Sequence, residues 1–313
     1  MTIDERDAWL EWRRAGIGAS DVAGILGLSP WSSPYSIWAT KVGLIPDDDM
    51  TEAMEMGLAL EPAINALFHT RTGLHVVGAQ STFQREDVPW ARATLDGMVP
   101  TDGTNTTVGD LDGFEAKTTS DAPAKWEQEI PVYYSAQVHW QMYVTGMSKT
   151  WLGVIHANYG LKFRVYEVKR NEDDIAYIVG KVTEFYNDHV LTGIPPATDG
   201  TLATTEALNM LPVDPGAAVD IASSAFTLAS LRRIRADLAG LETAEQAAIN
   251  ELKASMGEAT EALVDGEVVA TWRPQDRTSV DTKALKAELP DVFDTYSKTT
   301  TSRVFRLSTK KEK

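Results

Sequence analysis

Cysteine is absent from this 313-residue chain. Disulfides, thiolate zinc sites, iron–sulfur clusters and cysteine nucleophiles are therefore excluded. The five histidines show neither the H-E-x-x-H motif nor another paired spacing of metal ligands. The stretch GIGAS (16–20) lacks the lysine of a phosphate-binding nucleotide loop, and no GxGxxG motif occurs. These absences remove thiol chemistry and the commonest nucleotide-binding loops from consideration.

Basic residues are also scarce, with 29 Lys and Arg against 45 Asp and Glu and a net charge of −16. This balance argues against a protein that coats nucleic acid with its whole surface, although a local basic groove can act within an acidic protein. Long apolar runs are missing, and the N-terminus is charged where a signal peptide has an apolar core. We therefore expect a cytoplasmic protein without membrane association, in which any DNA site is confined and metal ions supply part of its positive charge.

The order of helix-like and strand-like segments predicts an α/β (α+β) fold. Helical spacing of apolar residues dominates residues 5–72, and a period near two then indicates strands of one mostly antiparallel sheet up to about residue 117. A helix over PVYYSAQVHWQMYVTG, two strands and a helix over about 171–192 follow. This succession predicts a mixed central β-sheet flanked by helices.

A tract rich in Pro, Gly and Thr, at 196–216, is typical of a linker between a core of 1–195 and an extension of 217–313. The extension shows amphipathic helical spacing, then an Asp-Gly hairpin signal at 265–266 and a final strand-like run, SRVFRLS. We predict a C-terminal helical and small β extension, and we assign it no catalytic residue.

The stretch GDLDGFEAKTTS (109–120) carries the main chemical signal. Residues two apart on a strand point to the same face, so Glu115 and Lys117 project side by side. A carboxylate beside an ammonium suits metal-dependent hydrolysis, because the carboxylate binds a hard cation and the lysine can orient the attacking water. Asp96, in ATLDG, supplies a second carboxylate if its strand pairs with FEAK as a hairpin. Glu-x-Lys alone is more typical of a solvated strand face, and that alternative stays open.

Two further acidic residues, Asp110 and Asp112, lie close to this pair in the sequence. We exclude both as ligands because they lie in a Gly-rich turn. Asp112 is also three residues before Glu115, off the strand face that carries Glu115 and Lys117.

The order of an Asp, a hairpin and Glu-x-Lys resembles the PD-(D/E)xK nuclease superfamily. Further stretches resemble its YqaJ-like viral recombinase group, the phage lambda exonuclease family: WLEWRRAGIGASDVAGILG, EMGLALEPAINALF and YYSAQVHWQMYVTG. With ATLDG and FEAKTT they span about residues 8–190 in the family's order. The resemblance implies a restriction-endonuclease-like fold for the core.

The resemblance also implies roles for the residues of the expected hairpin. Asp96 and Glu115 would bind Mg²⁺ together with the main-chain carbonyl of Ala116, and Mn²⁺ is expected to substitute. Lys117 would orient the attacking water.

Other matching residues lie outside the hairpin. Glu61 would be a third carboxylate and Gln137 would lie near the metal or the scissile phosphate, although on sequence alone Glu61 suits the surface and Gln137 the polar face of a helix. Arg13 and Ser20 would hold a terminal 5′ phosphate, since an arginine can grip phosphate bidentately and a helix N-terminus attracts anions. Arg14 is the alternative to Arg13, and Ser20 also suits a simple helix cap.

The implied activity is that of a metal-dependent DNA exonuclease, using one or two ions, that resects the 5′ strand of linear double-stranded DNA. The resulting 3′ overhang would pass to a single-strand annealing protein of the RecT/Bet-like kind. The family also implies a homo-oligomer, a trimeric ring, encoded by a phage or a bacterial host. One alternative is a structure- or site-specific endonuclease, which Arg13 and Ser20 make less favoured. Another is a non-catalytic DNA-binding recombination accessory protein, which the presence of Asp96, Glu115 and Lys117 disfavours.

Overall fold

The computed structural model describes residues 3–47, 51–101, 110–158, 160–299 and 303–308. The chain divides into two compact units, Met1–Val213 and Asp214–Lys313. The first unit has a mixed central sheet flanked by helices, so the predicted fold class is confirmed. No helix within the described ranges is long and apolar enough to cross a membrane.

Helices make up the first part of this unit: α1 (Ile3–Arg14), α2 (Ala19–Ile25), α3 (Pro34–Lys41) and α4 (Glu52–Thr72). Ser33 caps α3, because its hydroxyl accepts the Ser36 amide at 3.1 Å. Ser20, in contrast, lies within the first turn of α2 and is not its cap. The N-cap is Gly18, whose amide donates to the Asp21 carboxylate at 2.8 Å, so α2 begins two residues earlier than a Ser20 cap implies.

Two separate sheets follow, where the sequence predicts one mostly antiparallel sheet. β1 (Ser81–Gln84) and β2 (Arg92–Leu95) form an antiparallel pair, while the central sheet has the order β3 (Gly97–Pro100), β4 (Leu111–Thr119), β5 (Lys149–Ala157) and β6 (Leu161–Lys169). The prediction is wrong because the run ATLDGMVP breaks at Asp96, so that its two halves pair with different partners.

The centre of the larger sheet is a parallel pair, β4 and β5, with antiparallel pairs on either side. Parallel neighbours need a crossover connection. Here it consists of α5 (Pro123–Gln128) and α6 (Val132–Thr145). Because the chain must return to the start of β5, α6 is carried back beside the strand that holds the FEAK motif.

The first unit ends with α7 (Glu172–Phe185), a π-helical turn over Tyr186–Val190 and α8 (Leu202–Met210). α8 lies inside the tract predicted as a linker, but it packs on α3. Thr204 donates a hydrogen bond to Ser33 Oγ at 2.7 Å, and Ala207 is buried. The first unit therefore extends beyond residue 195, to Val213.

The second unit contains a long helix, a hairpin and two short helices: α9 (Ala225–Met256), β7 (Glu261–Val264), β8 (Glu267–Thr271), α10 (Thr282–Glu288) and α11 (Pro290–Tyr296). The hairpin predicted at 265–266 is confirmed, and Asp265 and Gly266 both have positive φ angles, as a type I′ turn requires. Residues 303–308 form no strand, so the prediction of a final strand is wrong for them.

Close packing of α4 on the central sheet depends on Gly153 of β5. A Cβ atom there would lie 2.8 Å from the Ile64 side chain and 2.9 Å from the Phe114 ring, both fully buried. Gly153→Ala should therefore lower the free energy of unfolding by about 1–3 kcal/mol in urea denaturation. Gly180→Ala, on α7 with nothing within 4 Å of the new atom, is the control and should raise it by up to about 1 kcal/mol. Equal stability of the Gly153 variant and the wild type would contradict the packing.

Candidate active site

Asp96 lies at the break between β2 and β3, where the chain leaves one sheet for the other. Gly97 pairs with Phe114 across the β3–β4 hairpin. The Asp96 carboxylate thereby reaches the middle of β4, where its Oδ2 accepts the Ala116 N–H at 2.9 Å. The hairpin that the sequence requires for a joint site of Asp96 and Glu115 is therefore present.

Glu115 is buried, and both of its carboxylate oxygens accept hydrogen bonds. Lys117 Nζ donates to Oε1 at 2.7 Å, and Gln137 Nε2 donates to the same oxygen at 2.6 Å. Gln141 Nε2 donates to Oε2 at 2.7 Å. The structure thus brings the predicted residues Glu115, Lys117 and Gln137 together, and α6 supplies two of the three donors.

Gln141 is a site residue that the sequence analysis missed. Its Nε2 also donates to the Thr94 carbonyl at 3.2 Å, so one amide joins the Glu115 carboxylate to the end of β2. The available signal was its spacing, because residues four apart on a helix share a face and Gln137 was already a candidate.

Lys117 keeps its positive charge in this environment. Burial lowers the pKa of its ammonium, but the carboxylates of Glu115 and Asp96 more than offset this effect and raise the pKa above its usual value. The ammonium also lies 5.1 Å from the centroid of the Tyr134 ring, a cation–π contact. With 18% of its side-chain surface exposed, Lys117 can still reach a bound substrate.

Glu61 joins the site through a residue that the sequence analysis also missed, Gln80. The Gln80 amide donates to Glu61 Oε2 at 3.0 Å and to Asp96 Oδ1 at 3.4 Å. Gln80 has a φ of 53°, a left-handed conformation that residues other than glycine seldom adopt. No local sequence signal indicated that conformation, and without it the link from α4 to Asp96 could not be expected.

The convergence of carboxylates raises the pKa values of Asp96 and Glu61. Burial and the charge of Glu115 raise the pKa of Asp96 to about 8, against smaller lowering effects of Lys117 and the Ala116 amide. Burial also raises the pKa of Glu61, although its hydrogen bond from Gln80 acts in the opposite direction. A divalent cation beside Asp96 and Glu115 would relieve this repulsion.

The residues present fit Mg²⁺ in the way that this ion is commonly bound. In the described part of the chain, no group of three or more His, Asp or Glu side chains forms a preformed metal cage. Mg²⁺ is usually held by one or two carboxylates, with waters and substrate phosphates as its other ligands. Asp96 and Glu115 satisfy that requirement, and the carbonyl of Ala116 remains a predicted ligand.

Asp112 lies away from this cluster. Its Oδ2 accepts the Trp151 Nε1–H at 3.1 Å and pairs with Lys149 Nζ at 3.2 Å. It therefore serves an ion pair on the other face of β4, in keeping with its exclusion as a ligand of the Glu115 site.

Arg13 and Ser20 lie together, as the resemblance implies. Arg13 Nη2 donates to Ser20 Oγ at 2.9 Å, and 31% of the arginine side chain is exposed. Arg14 instead pairs with Asp47. Of the two arginines, Arg13 therefore has the position expected of a phosphate ligand.

A buried ion pair that the sequence analysis missed lies beneath Arg13. Asp21 accepts from Lys41 Nζ at 2.6 Å and lies 3.6 Å from Arg13 Nη2. Lys41 also donates to the Arg13 carbonyl at 3.0 Å. The cluster has one acidic and two basic side chains, so it keeps a net positive charge.

The two clusters are attached to opposite ends of β2. The turn between α1 and α2 is held there, because Ile17 N donates to the Trp90 carbonyl at 2.7 Å and Arg92 N donates to the Ile17 carbonyl at 3.0 Å. β2 then runs directly to Asp96.

Comparison with known proteins identifies relatives of this chain. Residues 8–148 match the model of the YqaJ-like viral recombinase domain. The uncharacterised protein YqaJ of Bacillus subtilis (strain 168) is 32% identical over 308 residues, which cover 96% of this chain and 93% of that protein.

Solved structures with some similarity include exonucleases. An alkaline exonuclease from Laribacter hongkongensis is 20% identical, with a TM-score of 0.44 over 58% of this chain and 91% of that chain. A putative exonuclease from Eubacterium rectale is 11% identical, with a TM-score of 0.46 over 72% of this chain and 98% of that chain. Likenesses this distant say nothing about chemistry, so the function has to be inferred from the family and from the site itself.

Asp96→Asn should stabilise the protein in EDTA. Because the folded-state pKa of Asp96 is about 8 and the ordinary value is 3.8, folded wild type keeps a proton that the unfolded chain has lost. Wild-type stability should therefore fall relative to the variant as the pH rises from about 4 to 8, and then level off. Thermal melts at pH 5–9 measure this difference.

Asp87→Asn is the control, because the hydrogen bond from Arg85 lowers the pKa of that exposed carboxyl and its titration is complete below this range. A difference between the Asp96 variant and the wild type that stays constant with pH would contradict the expectation.

Asp21→Asn should destabilise the protein by about 3–5 kcal/mol at neutral pH, because it leaves the buried Lys41 ammonium without its carboxylate. Burial raises the pKa of Asp21, but Lys41 and Arg13 more than offset this and hold it below its ordinary value of 3.8. The stabilisation is thus complete above pH 3.8 and is lost as the pH falls through the folded-state pKa.

Urea denaturation between pH 7 and pH 3 checks both statements. Asp47→Asn, which removes the more exposed carboxylate paired with Arg14, should cost at most about 1 kcal/mol. Equal losses of the free energy of unfolding in the two variants would show that burial does not make the Asp21–Lys41 pair more important for stability than an exposed pair.

Proposed function

Because this chain belongs to the YqaJ-like viral recombinase domain family, we propose that it is a metal-dependent DNA exonuclease that resects the 5′ strand of linear double-stranded DNA. The observation that carries this proposal is the pair of carboxylates formed by buried Glu115 and half-buried Asp96, beside the charged ammonium of Lys117. A recombinase family favours DNA as the substrate, and this arrangement favours hydrolysis of its phosphodiester bonds.

Asp96 and Glu115 would hold Mg²⁺, with Mn²⁺ as a substitute and the carbonyl of Ala116 as a further ligand. When bound, the ion supplies Lewis-acid stabilisation of the negative charge that develops on the phosphate. Lys117 remains protonated, so it donates a hydrogen bond to the attacking water and does not act as a base.

The surrounding amides keep these groups in position. Gln137 and Gln141 fix both oxygens of Glu115, and Gln137 would also approach the scissile phosphate. Glu61, tied to Asp96 through Gln80, has a raised pKa and suits the acceptance of a proton from the water.

Arg13 and Ser20 favour exonuclease over endonuclease activity. An enzyme that cuts within a strand needs no site for a terminal phosphate, whereas the exposed part of Arg13 beside the Ser20 hydroxyl suits a 5′ phosphate. A DNA-binding accessory protein would gain nothing from buried carboxylates that repel phosphates. From the family resemblance we extend the proposal to a 3′ overhang passed to a RecT/Bet-like annealing protein, and to a homo-oligomeric ring of three chains.

The test compares linear duplex DNA with 5′-phosphate ends, the same DNA with 5′-hydroxyl ends, and closed circles, in Mg²⁺ and in EDTA. We expect digestion of phosphorylated linear DNA only in Mg²⁺, and a loss of about 10²–10³ in rate for Lys117→Ala, which removes a charged donor from the site. Arg13→Ala should abolish the preference for phosphorylated ends. Arg14→Ala is the matched control, because the Arg14 side chain pairs with Asp47 in the wild type, and this variant should keep that preference.

Two results would overturn the proposal in different ways. Nicking of closed circles would favour the structure- or site-specific endonuclease and leave Arg13 without its assigned role. Binding of DNA without cleavage in Mg²⁺ or Mn²⁺ would favour the recombination accessory protein.

A further inference from the structure

The long helix of the second unit has an apolar stripe that no described residue of that unit buries. Among the described residues, none of those in α9 is buried, although the helix contains large apolar side chains along its length. Leu238 is 52% exposed, Leu241 67% and Leu252 58%. A helix of 32 residues, about 48 Å long, gains little stability in water without packing on its apolar face.

The apolar residues follow the heptad spacing of a coiled coil. The a and d positions are occupied by Leu231, Ile234, Leu238, Leu241, Glu245, Ala248 and Leu252. The single exception to an apolar seam is thus Glu245. Spacing of three and four residues, sustained over three heptads, creates a narrow stripe that suits one facing helix.

The charges of α9 are segregated along its length. The first half carries Arg232, Arg233 and Arg235 with Asp237, a net charge of +2, and the second half carries Glu242, Glu245 and Glu251 with Lys253, a net charge of −2. A second copy in the antiparallel direction places the basic half of each helix over the acidic half of the other. A parallel copy would place like charges together.

The apolar stripe also matches a second copy of the same helix that runs in the opposite direction. With the two copies centred near Gly240, Leu238 of one copy faces Leu241 of the other. In the same register Glu245 of one copy lies opposite Ile234 of the other and next to Arg235, whose charge compensates the polar residue in the seam. A polar residue at an a position commonly fixes the orientation of a coiled coil at some cost in stability.

We propose that α9 is a dimerisation helix, in which two copies of this chain pair as an antiparallel coiled coil through Leu231, Ile234, Leu238, Leu241 and Leu252. This contact belongs to the second unit and does not depend on the proposed nuclease activity.

The molecular mass of the full-length protein in sedimentation equilibrium tests the pairing. Leu238→Asp with Leu241→Asp should weaken the association by about a hundredfold or more and halve the mass observed at a concentration where the wild type is fully associated, whether α9 joins two single chains or two of the proposed three-chain rings. Ala236→Asp, on the outer face of the same helix, is the matched control and should keep the wild-type mass. An unchanged mass in the double variant would overturn the proposal.

Charge reversal tests the antiparallel direction and adds no new charged position to the apolar seam. Arg235→Glu should weaken the dimer, since Arg235 lies beside Glu245 of the other copy, and adding Glu245→Arg should restore it. In a parallel dimer the second change would replace facing glutamates by facing arginines and restore nothing, and that result would overturn the proposal.

Spin labels give the direction independently, because a chain without cysteine takes one label at one introduced cysteine. In an antiparallel pair centred near Gly240, the axial offset between labels is about 45 Å for Ser255→Cys and about 9 Å for Thr243→Cys, at 1.5 Å per residue. Short distances at both positions would indicate a parallel pair, and no distance between copies at either would mean that something else covers the helix. Either result would overturn the proposal.

Discussion

The burial of Glu115 is the constraint on which the rest of the first unit's site depends. A buried carboxylate is costly unless donors surround it, and here the donors are Lys117 from the same strand and two amides from α6. The crossover that makes β4 and β5 parallel is also the connection that brings α6 to this carboxylate. The hydrogen bonds that satisfy the site therefore also fasten the crossover helix to the sheet, so stability and chemistry share the same contacts.

Local patterns predict the helices and the hairpin well, because caps, periodicity and Asp-Gly turns act within a few residues. The break at Asp96 could not be predicted in this way. Strand-like periodicity continues through ATLDGMVP, and only the pairing partners, β1 for one half and β4 for the other, separate its two halves. The same limit applies to Gln80, whose role depends on a left-handed backbone and on carboxylates that arrive from distant segments.

Composition misled the sequence analysis where polar residues have structural roles. The tract at 196–216 reads as a linker because of its threonines, prolines and glycines. Yet Thr201 caps α8 by accepting the Thr204 amide, and Thr204 in turn bonds to Ser33. The proximity of Glu115 and Lys117 follows from strand geometry, whereas Glu61, Gln137, Arg13 and Ser20 became candidates only through the family resemblance.

The cations of the two clusters in the first unit already lie beside carboxylates of the same chain. Lys117 is bonded to Glu115, Lys41 to Asp21, and Arg13 lies near Asp21 as well. These cationic side chains therefore attract few anions from solution. When a nucleic-acid phosphate binds one of them, the phosphate takes the place of a protein carboxylate. The number of small ions set free on binding is then smaller than the number of basic side chains suggests, and the affinity for DNA should vary only gently with the concentration of added salt.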